Sequence, residues 1–355
     1  MTKIPAPFAR PFYMMAKPIG AACNLACDYC YYLEKQQLYP DKGPHVMSDE
    51  VLELFVRQYL ESQTNQEVLF TWHGGEPTLL PMAFYEKAMR LQQRYAAGRH
   101  IDNCLQTNGT LLTDEWCRFF RDNGWLIGIS IDGPEHLHDA RRKTRGGEPS
   151  WQRVMAGIRR LEQHGVMWNA LSTVNSLNAD HPVEVYRFFR DNGCRYLQFT
   201  PVGGDVTADQ WGRFLCAVFD EWQKEDVGEV FVNIFEATLA NYMGVVPGIC
   251  ALSALCGHVG VVEWNGDVYS CDHFVSPQYR LGNIRQQTIC ELMNSPRQQA
   301  FAQQKTRGLR AACKACPWLF TCHGECPRTH YELCEGYKMY FEHTQSFMER
   351  MSDEL

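Results

Sequence analysis

The sequence predicts an α/β chain: an open, partial (β/α)6 barrel followed by a cysteine-rich module with one small β-hairpin and a C-terminal helix. Three observations carry this expectation. Six short apolar runs alternate with helical patterns over the first two thirds of the chain, which implies a parallel sheet with right-handed crossovers. Polar residues gather at the carboxyl ends of those runs, where parallel barrels keep their active sites. Near residue 245 the periodicity gives way to closely spaced cysteines. The predicted regions are therefore 1–245 and 246–355.

The strand runs are 13–20, 67–72, 100–106, 125–131, 166–173 and 195–200. Ser48 before Asp49-Glu50 and Thr113 before Asp114-Glu115 read as helix N-caps with acidic first turns. Gly124, Gly165 and Gly193 stand just past helical patterns, where a left-handed residue ends a helix at little cost. "FFRDNGWLIGISID" (119–132) and "FFRDNGCRYLQFTP" (188–201) share a helix end, an Asn-Gly stop and a strand, and "RRLEQHGVMWNALSTV" (159–174) follows the same plan. Six such units leave the barrel open. The polar residues at the strand ends are Cys23, His73 to Glu76, Thr107-Asn108, Ser130 with Asp132, Thr173 with Asn175, and Thr200. Beyond residue 245 the one hairpin signal is "VVEWNGDVYSCD", turning at Asn265-Gly266.

The chain has 355 residues, enough for one large α/β domain and a smaller one. A formal charge of −7 provides no basic field for nucleic acid. No run of eighteen apolar residues is present, so no membrane span is expected. The opening "MTKIPAPFARPFYMM" lacks a signal-peptide core. A cytoplasmic protein with neither nucleic-acid nor membrane partners is the expectation. In that compartment sixteen cysteines are metal ligands or buried small hydrophobes rather than disulfides. Cys104, Cys117, Cys194, Cys216 and Cys290 sit in strand or helix patterns and are read as space-fillers.

"CNLACDYCYY" (23–32) places Cys23, Cys27 and Cys30 in a C-x3-C-x2-C spacing. Three thiolates are one short of a structural zinc site and one too many for a disulfide. They suit three irons of a 4Fe-4S cluster whose fourth iron stays open to an outside ligand. On spacing alone, a zinc knuckle completed from elsewhere remains an alternative. The position after the first strand, with "HGGEP" (73–77) ending the second, resembles the radical SAM family. There S-adenosylmethionine (SAM) chelates the open iron through its amino and carboxylate groups. The resemblance implies that Gly74, Gly75 and Glu76 form the stretch that meets the SAM amine, glycine permitting close backbone approach. Read alone, the same stretch is a strand-to-helix turn with Pro77 at the first helical position. Ser130 in "SIDGP" and Arg142 in "HDARRK" occupy places that in similar proteins contact the SAM ribose or carboxylate. Arg141 and Arg145 compete with Arg142, and a solvated basic turn is the plain alternative.

Further along, Cys256, Gly266 and Cys271 make C-x9-G-x4-C, and Cys313, Cys316, Cys322 and Cys326 make C-x2-C-x5-C-x3-C. With Cys250 and Cys334 this pattern resembles the SPASM module, which holds two auxiliary 4Fe-4S clusters. Eight cysteines are full ligation for two such clusters; two zinc sites would use the same number. The resemblance assigns Cys250, Cys256, Cys271 and Cys326 to one auxiliary cluster, and Cys313, Cys316, Cys322 and Cys334 to the other. Three 4Fe-4S clusters and SAM are thus the implied cofactors.

Nearly the whole chain resembles anaerobic sulfatase-maturating enzymes, through "AKPIGAACNLACDYCYYLEK", "FTWHGGEPTLL", "SIDGPEHLHDARR", "VNIFEATLANYMG", "YSCDHFV" and "CEGYKMYFEH". Such enzymes oxidise a Cys or Ser of a sulfatase to formylglycine. The implied partners are an unfolded sulfatase or other peptide carrying Cys/Ser-x-Pro-x-Arg, and a flavodoxin- or ferredoxin-type reductant. The resemblance also implies that Asp272 is the base and that Tyr32 lies near the reacting carbon. An ordinary aspartate has a pKa of about 3.9 and a thiol about 8.5, so proton transfer to Asp272 needs desolvation or coupling to oxidation. On the residues alone, Asp272 is equally a hairpin residue bonding loop amides, and Tyr32 ordinary packing. The rival functions are a SPASM enzyme modifying a ribosomally made peptide, for example by thioether crosslinking, and a non-catalytic zinc protein that binds peptides. "GGDV" (203–206) and "PRTHYEL" (327–333) are shorter than the resemblance implies.

Overall fold

The computed structural model of the chain describes residues 12–39, 43, 45–329 and 331–355. These form two compact units interleaved in sequence. The first comprises residues up to Ile129, Arg142–Met167 and Gly257–Ala302; the second comprises Ser130–Arg141, Trp168–Cys256 and Gln303–Leu355.

The first unit is built on β1 (Tyr13–Lys17), β2 (Glu67–Trp72), β3 (His100–Thr107) and β4 (Leu126–Ser130, only its last residue falling in the other unit). They pair in parallel in chain order. The predicted strand at 13–20 stops at Lys17 because Pro18 has no N–H for the ladder. Helices Asp49–Ser62 and Asp114–Asp122 begin at the predicted caps: Ser48 Oγ accepts from Val51 N at 3.3 Å, and Thr113 Oγ1 from Trp116 N at 3.3 Å. Phe55, Phe70, Trp72, Tyr85, Phe120 and Trp125 make a buried aromatic layer between sheet and helices.

The second unit has β5 (Trp168–Val174), β6 (Tyr196–Pro201) and the short β7 (Phe231–Val232), again parallel. Helix Ala208–Glu225 opens with a full capping box at Thr207 and Gln210. Helix Cys334–Glu354 packs on it, glycine against glycine. A Cβ on Gly336 would lie 2.2 Å from Ala208 O, so any larger residue would separate the helices.

The repeated "FFRDNG" ends its helix identically in both units. The Asn123 and Asn192 side chains each donate to the carbonyl four residues back, at 2.7 Å, and Gly124 and Gly193 follow at φ 66° and 74°. Trp125 N and Cys194 N then bond back to Phe120 O and Phe189 O, so each strand starts a residue later than its apolar run.

The hairpin forms at the predicted turn, with β8 (Val259–Glu263) and β9 (Asp267–Tyr269) joined through Asn265-Gly266, followed by β10 (Arg280–Asn283). Its placement was not legible in the sequence. β8 lies parallel to β1, Met15 opposite Val261, so the hairpin extends the first unit's sheet in the order β10-β9-β8-β1-β2-β3-β4. This pairing covers the free edge of β1 and brings the segment after β9 to the carboxyl end of β1.

Candidate active site

The loop after β1 carries Cys23, Cys27 and Cys30, and backbone close approach holds it. Gly75 N donates to Gly20 O at 2.7 Å, and Glu76 N to Ala22 O at 2.8 Å. A Cβ on Gly75 would lie 2.0 Å from Ala22 O, so the glycine is required by the cysteine loop itself. Gly74, at φ 148°, makes the preceding bend. Asn24 is bonded to Asn108 and to Thr110, both at 2.8 Å, while Ala26 N donates to Lys143 O at 2.8 Å and Arg145 Nε to Cys23 O at 2.8 Å.

Glu76 is fully buried. Its carboxylate accepts from Thr78 N at 3.0 Å, Thr78 Oγ1 at 2.5 Å, Thr107 Oγ1 at 2.6 Å and Asn108 N at 2.7 Å. Burial raises its pKa and these donors oppose the rise. It ties the ends of β2 and β3 together, a bracing role that the sequence reading did not assign. Of the three arginines, Arg141 is committed to Asp205 at 2.5 Å, Arg145 to Cys23 O, and Arg142 lies over the Tyr29 ring at 5.5 Å. Ser130 ends β4 and is half-buried.

Asp272, directly after Cys271, sits where the hairpin meets β1. Lys17, buried at 0% side-chain exposure, forms an ion pair with it at 2.7 Å, and Tyr31 donates its hydroxyl to the same carboxylate. Burial pushes the Asp272 pKa up, but Lys17, then His73 and His273, outweigh it and hold the carboxyl well below the usual range. His73 is itself lowered to about 4, by burial and then by Lys17. Its Nδ1 accepts from Gly74 N at 2.7 Å, as a neutral ring does. Tyr32 is buried beneath Lys17, whose Nζ lies 4.2 Å from the ring centroid, and donates to Glu263. Burial raises the Tyr32 pKa well above 10, with Glu263 adding to it, and the phenol keeps its proton. Burial likewise pushes Glu263 up to about 7.

The sequence reading gave roles to Asp272 and Tyr32, placed His73 at a strand end without a role, and did not single out Lys17, Tyr31 or Glu263. Lys17 carried one signal: a lysine ending the buried strand "YMMAK" needs a partner. The Tyr31–Tyr32 order carried none, because adjacent residues diverge only once the backbone is placed.

None of the sixteen cysteines is in a disulfide. Burial pushes Cys23 up to about 11 and Cys256 up to about 12; a positive centre between such thiols would reverse that. Cys250, Cys256 and Cys326 interact electrostatically with one another, as do Cys313 and Cys334. Among the described residues no three His, Cys, Asp or Glu side chains are close enough to hold a single metal ion. The donors that interact with one another are all thiols, the ligand type of 4Fe-4S clusters. His323, Glu325 and Tyr331 adopt left-handed φ of 50°, 51° and 66° around Cys322 and Cys326. Non-glycine residues hold that conformation only where the surroundings enforce it.

Residues 18–200 match the Radical SAM superfamily and residues 254–317 the SPASM iron–sulfur cluster-binding domain. These spans define the class: a radical SAM core with an iron–sulfur cluster-binding region. Three relatives narrow it. A serine-type anaerobic sulfatase-maturating enzyme of Bacteroides thetaiotaomicron is 52% identical, over 99% of this chain and 93% of its own. One of Klebsiella aerogenes is 41% identical, over 93% and 84%. A cysteine-type enzyme of Clostridium perfringens is 31% identical, over 94% and 96%. The structure of anSMEcpe with bound AdoMet superposes with a TM-score of 0.90 at 30% identity, covering 97% of this chain and 100% of that one. The chain belongs to the anaerobic sulfatase-maturating enzymes, SAM-dependent radical oxidoreductases. Among its described residues no helix is long and apolar enough to cross a membrane.

Proposed function

We propose that this enzyme oxidises a serine in a Ser-x-Pro-x-Arg stretch of an unfolded sulfatase to formylglycine, in the cytoplasm, with a flavodoxin- or ferredoxin-type protein as electron donor. The serine preference is supported by the serine-type relatives at 52% and 41% identity against 31% for the cysteine-type enzyme. Three 4Fe-4S clusters are assigned to Cys23, Cys27 and Cys30; to Cys250, Cys256, Cys271 and Cys326; and to Cys313, Cys316, Cys322 and Cys334. Gly74, Gly75, Glu76, Ser130 and Arg142 are assigned to SAM, and the Glu76 side chain also braces the ends of the second and third strands. When bound there, the core cluster and SAM would supply the radical chemistry that removes a hydrogen atom from the substrate β-carbon.

The chain's own part is to take the proton. The observation that carries this is the Lys17–Asp272 ion pair, with the Tyr31 hydroxyl on the same carboxylate. Asp272 is thereby ionised at any working pH, oriented and ready to accept. So acidic a carboxyl is a weak base toward an intact alcohol. It becomes competent once hydrogen loss has made the hydroxyl far more acidic, which couples proton removal to oxidation. One hydrogen atom, one proton and one electron must leave the serine for the product to form, and an auxiliary cluster would take the electron. The test is anaerobic incubation with SAM, dithionite and paired Ser- and Cys-x-Pro-x-Arg peptides, read by mass spectrometry. Loss of two hydrogens from the serine peptide supports the reading. A crosslinked product, or reaction of the cysteine peptide alone, overturns it.

A further inference from the structure

A second buried lysine lies in the cysteine-rich part of the second unit. Lys305 follows the short strand-free stretch "FAQQ" and is 3% exposed. Its Nζ donates to Cys250 O at 3.2 Å, Ala251 O at 2.7 Å and Ser253 O at 2.6 Å. Those three bonds use every donor of an ammonium, and all three acceptors are neutral carbonyls of the turn that carries Cys250. The positive charge itself is left without a bonded anion there. The groups whose fields act on it are Cys256, Cys250, Cys326 and Cys322, and its own field reaches the buried Glu325 carboxyl and His323. Burial also raises the Glu325 pKa, which favours its neutral form and leaves the thiols as the principal anionic partners. Burying a charge this deeply is costly unless an opposite charge accompanies it. If the lysine served only to cap three carbonyls, a neutral donor would do so without that cost.

We propose that Lys305 is a positioning residue for the iron–sulfur cluster on Cys250, Cys256 and Cys326: a fixed counter-charge that raises its reduction potential. This rests on the cluster assignment above. Four thiolates give a 4Fe-4S cluster net negative charge, and each added electron deepens it. A cation at short range in a low-dielectric setting favours the reduced form. Lys305 therefore makes this cluster a better acceptor for the electron that substrate oxidation releases, and the same turn carries both the charge and a ligand.

The experiment is an EPR-monitored potential titration of the auxiliary clusters in the Cys23/Cys27/Cys30→Ala background, with iron measured on each sample. Lys305→Met removes charge and donors, Lys305→Gln removes the charge but keeps donors, and Lys305→Arg keeps both. In iron-replete Met and Gln variants one auxiliary couple moves to lower potential. Its reduced-to-oxidised ratio at fixed potential falls about tenfold, equivalent to about 59 mV for one electron, while Arg stays near the parent. An iron-replete Gln variant with the parent's potentials overturns the proposal and leaves a carbonyl strut. If Met and Gln lose iron while Arg keeps iron and potentials, the charge requirement stands. If Arg loses it too, the proposal falls. A parent without auxiliary iron would instead sink the underlying cluster assignment.

Discussion

The cysteine loop at 23–30 and the cysteine-rich segment at 303–334 are built on different principles. The first is laid between strand ends and held by a dense set of bonds: Gly75 to Gly20, Glu76 to Ala22, Asn24 to Asn108 and Thr110, Ala26 to Lys143. The second is carried on helices of four residues, Gln304–Arg307, Ala311–Lys314 and Leu319–Cys322, with left-handed residues between the later cysteines. Helices that short have no stability of their own, and each left-handed non-glycine costs about 1–2 kcal/mol. The difference teaches that the core loop is held by its sheet, whereas the auxiliary segment is expected to be the more sensitive to a group bound by its thiols.

The largest expected effect tests the core loop. Replacing Cys23, Cys27 and Cys30 together by Ala leaves the strand ends and their bonds in place and takes SAM cleavage to background. Production of 5′-deoxyadenosine at the parent rate by that variant would remove the radical reading.

Next is Asp272→Asn, which keeps the shape and loses the acceptor. Formylglycine yield falls by about 10²–10⁴, the usual cost of losing a general base, while SAM cleavage and iron content persist. A cluster-replete Asn variant oxidising peptide near the parent rate would move the base elsewhere. Lys17→Met sharpens the same point. Burial then acts on Asp272 without the ammonium to oppose it, so its proton affinity rises. An acid limb enters the pH–rate profile where the parent has none, and an unchanged profile would show that Lys17 does not set this charge.

The comparison itself is tested by iron removal. After chelation under reducing conditions, hydrogen exchange accelerates through 304–329 and changes little at 20–31. Equal loss of protection in both segments would contradict the contrast.

The smallest effect concerns Glu263, whose pKa burial raises to about 7 from 4.5. Its folded form holds a proton that the unfolded chain gives up, so it lowers stability as pH rises from about 4.5 to about 7, and no further above that. Glu263→Gln removes this dependence and stabilises the protein relative to the parent at neutral pH by up to about 3 kcal/mol. A protonated-carboxyl infrared band titrating near pH 7 in the parent and absent from the variant checks it.

Much of the fold was readable because its signals are local. Ser48 and Thr113 cap helices where an acidic turn follows, and the Asn-Gly stops end helices because φ is positive at Gly124 and Gly193. Strand ends were off by one residue where a backbone N–H was spent elsewhere, as at Trp125 and Cys194, and by three where it was missing, as at Pro18. The cysteine spacings are local too, which is why both groups of thiols and their chemical class are legible in the sequence.

The sequence alone determined the alternation of strands and helices, the cysteine patterns and the family resemblance, since each depends on residues a few positions apart. Only the tertiary structure decided that the hairpin joins β1, Met15 opposite Val261. From that pairing follow Lys17 on Asp272, Tyr31 rather than Tyr32 on that carboxylate, and Tyr32 on Glu263. It also decided that Glu76 braces strand ends and that Lys305 caps the turn carrying Cys250. The physical reason is the same in each case. A buried charge is tolerable only beside its partner, and these partners are far apart in sequence, so no periodicity or spacing can announce them.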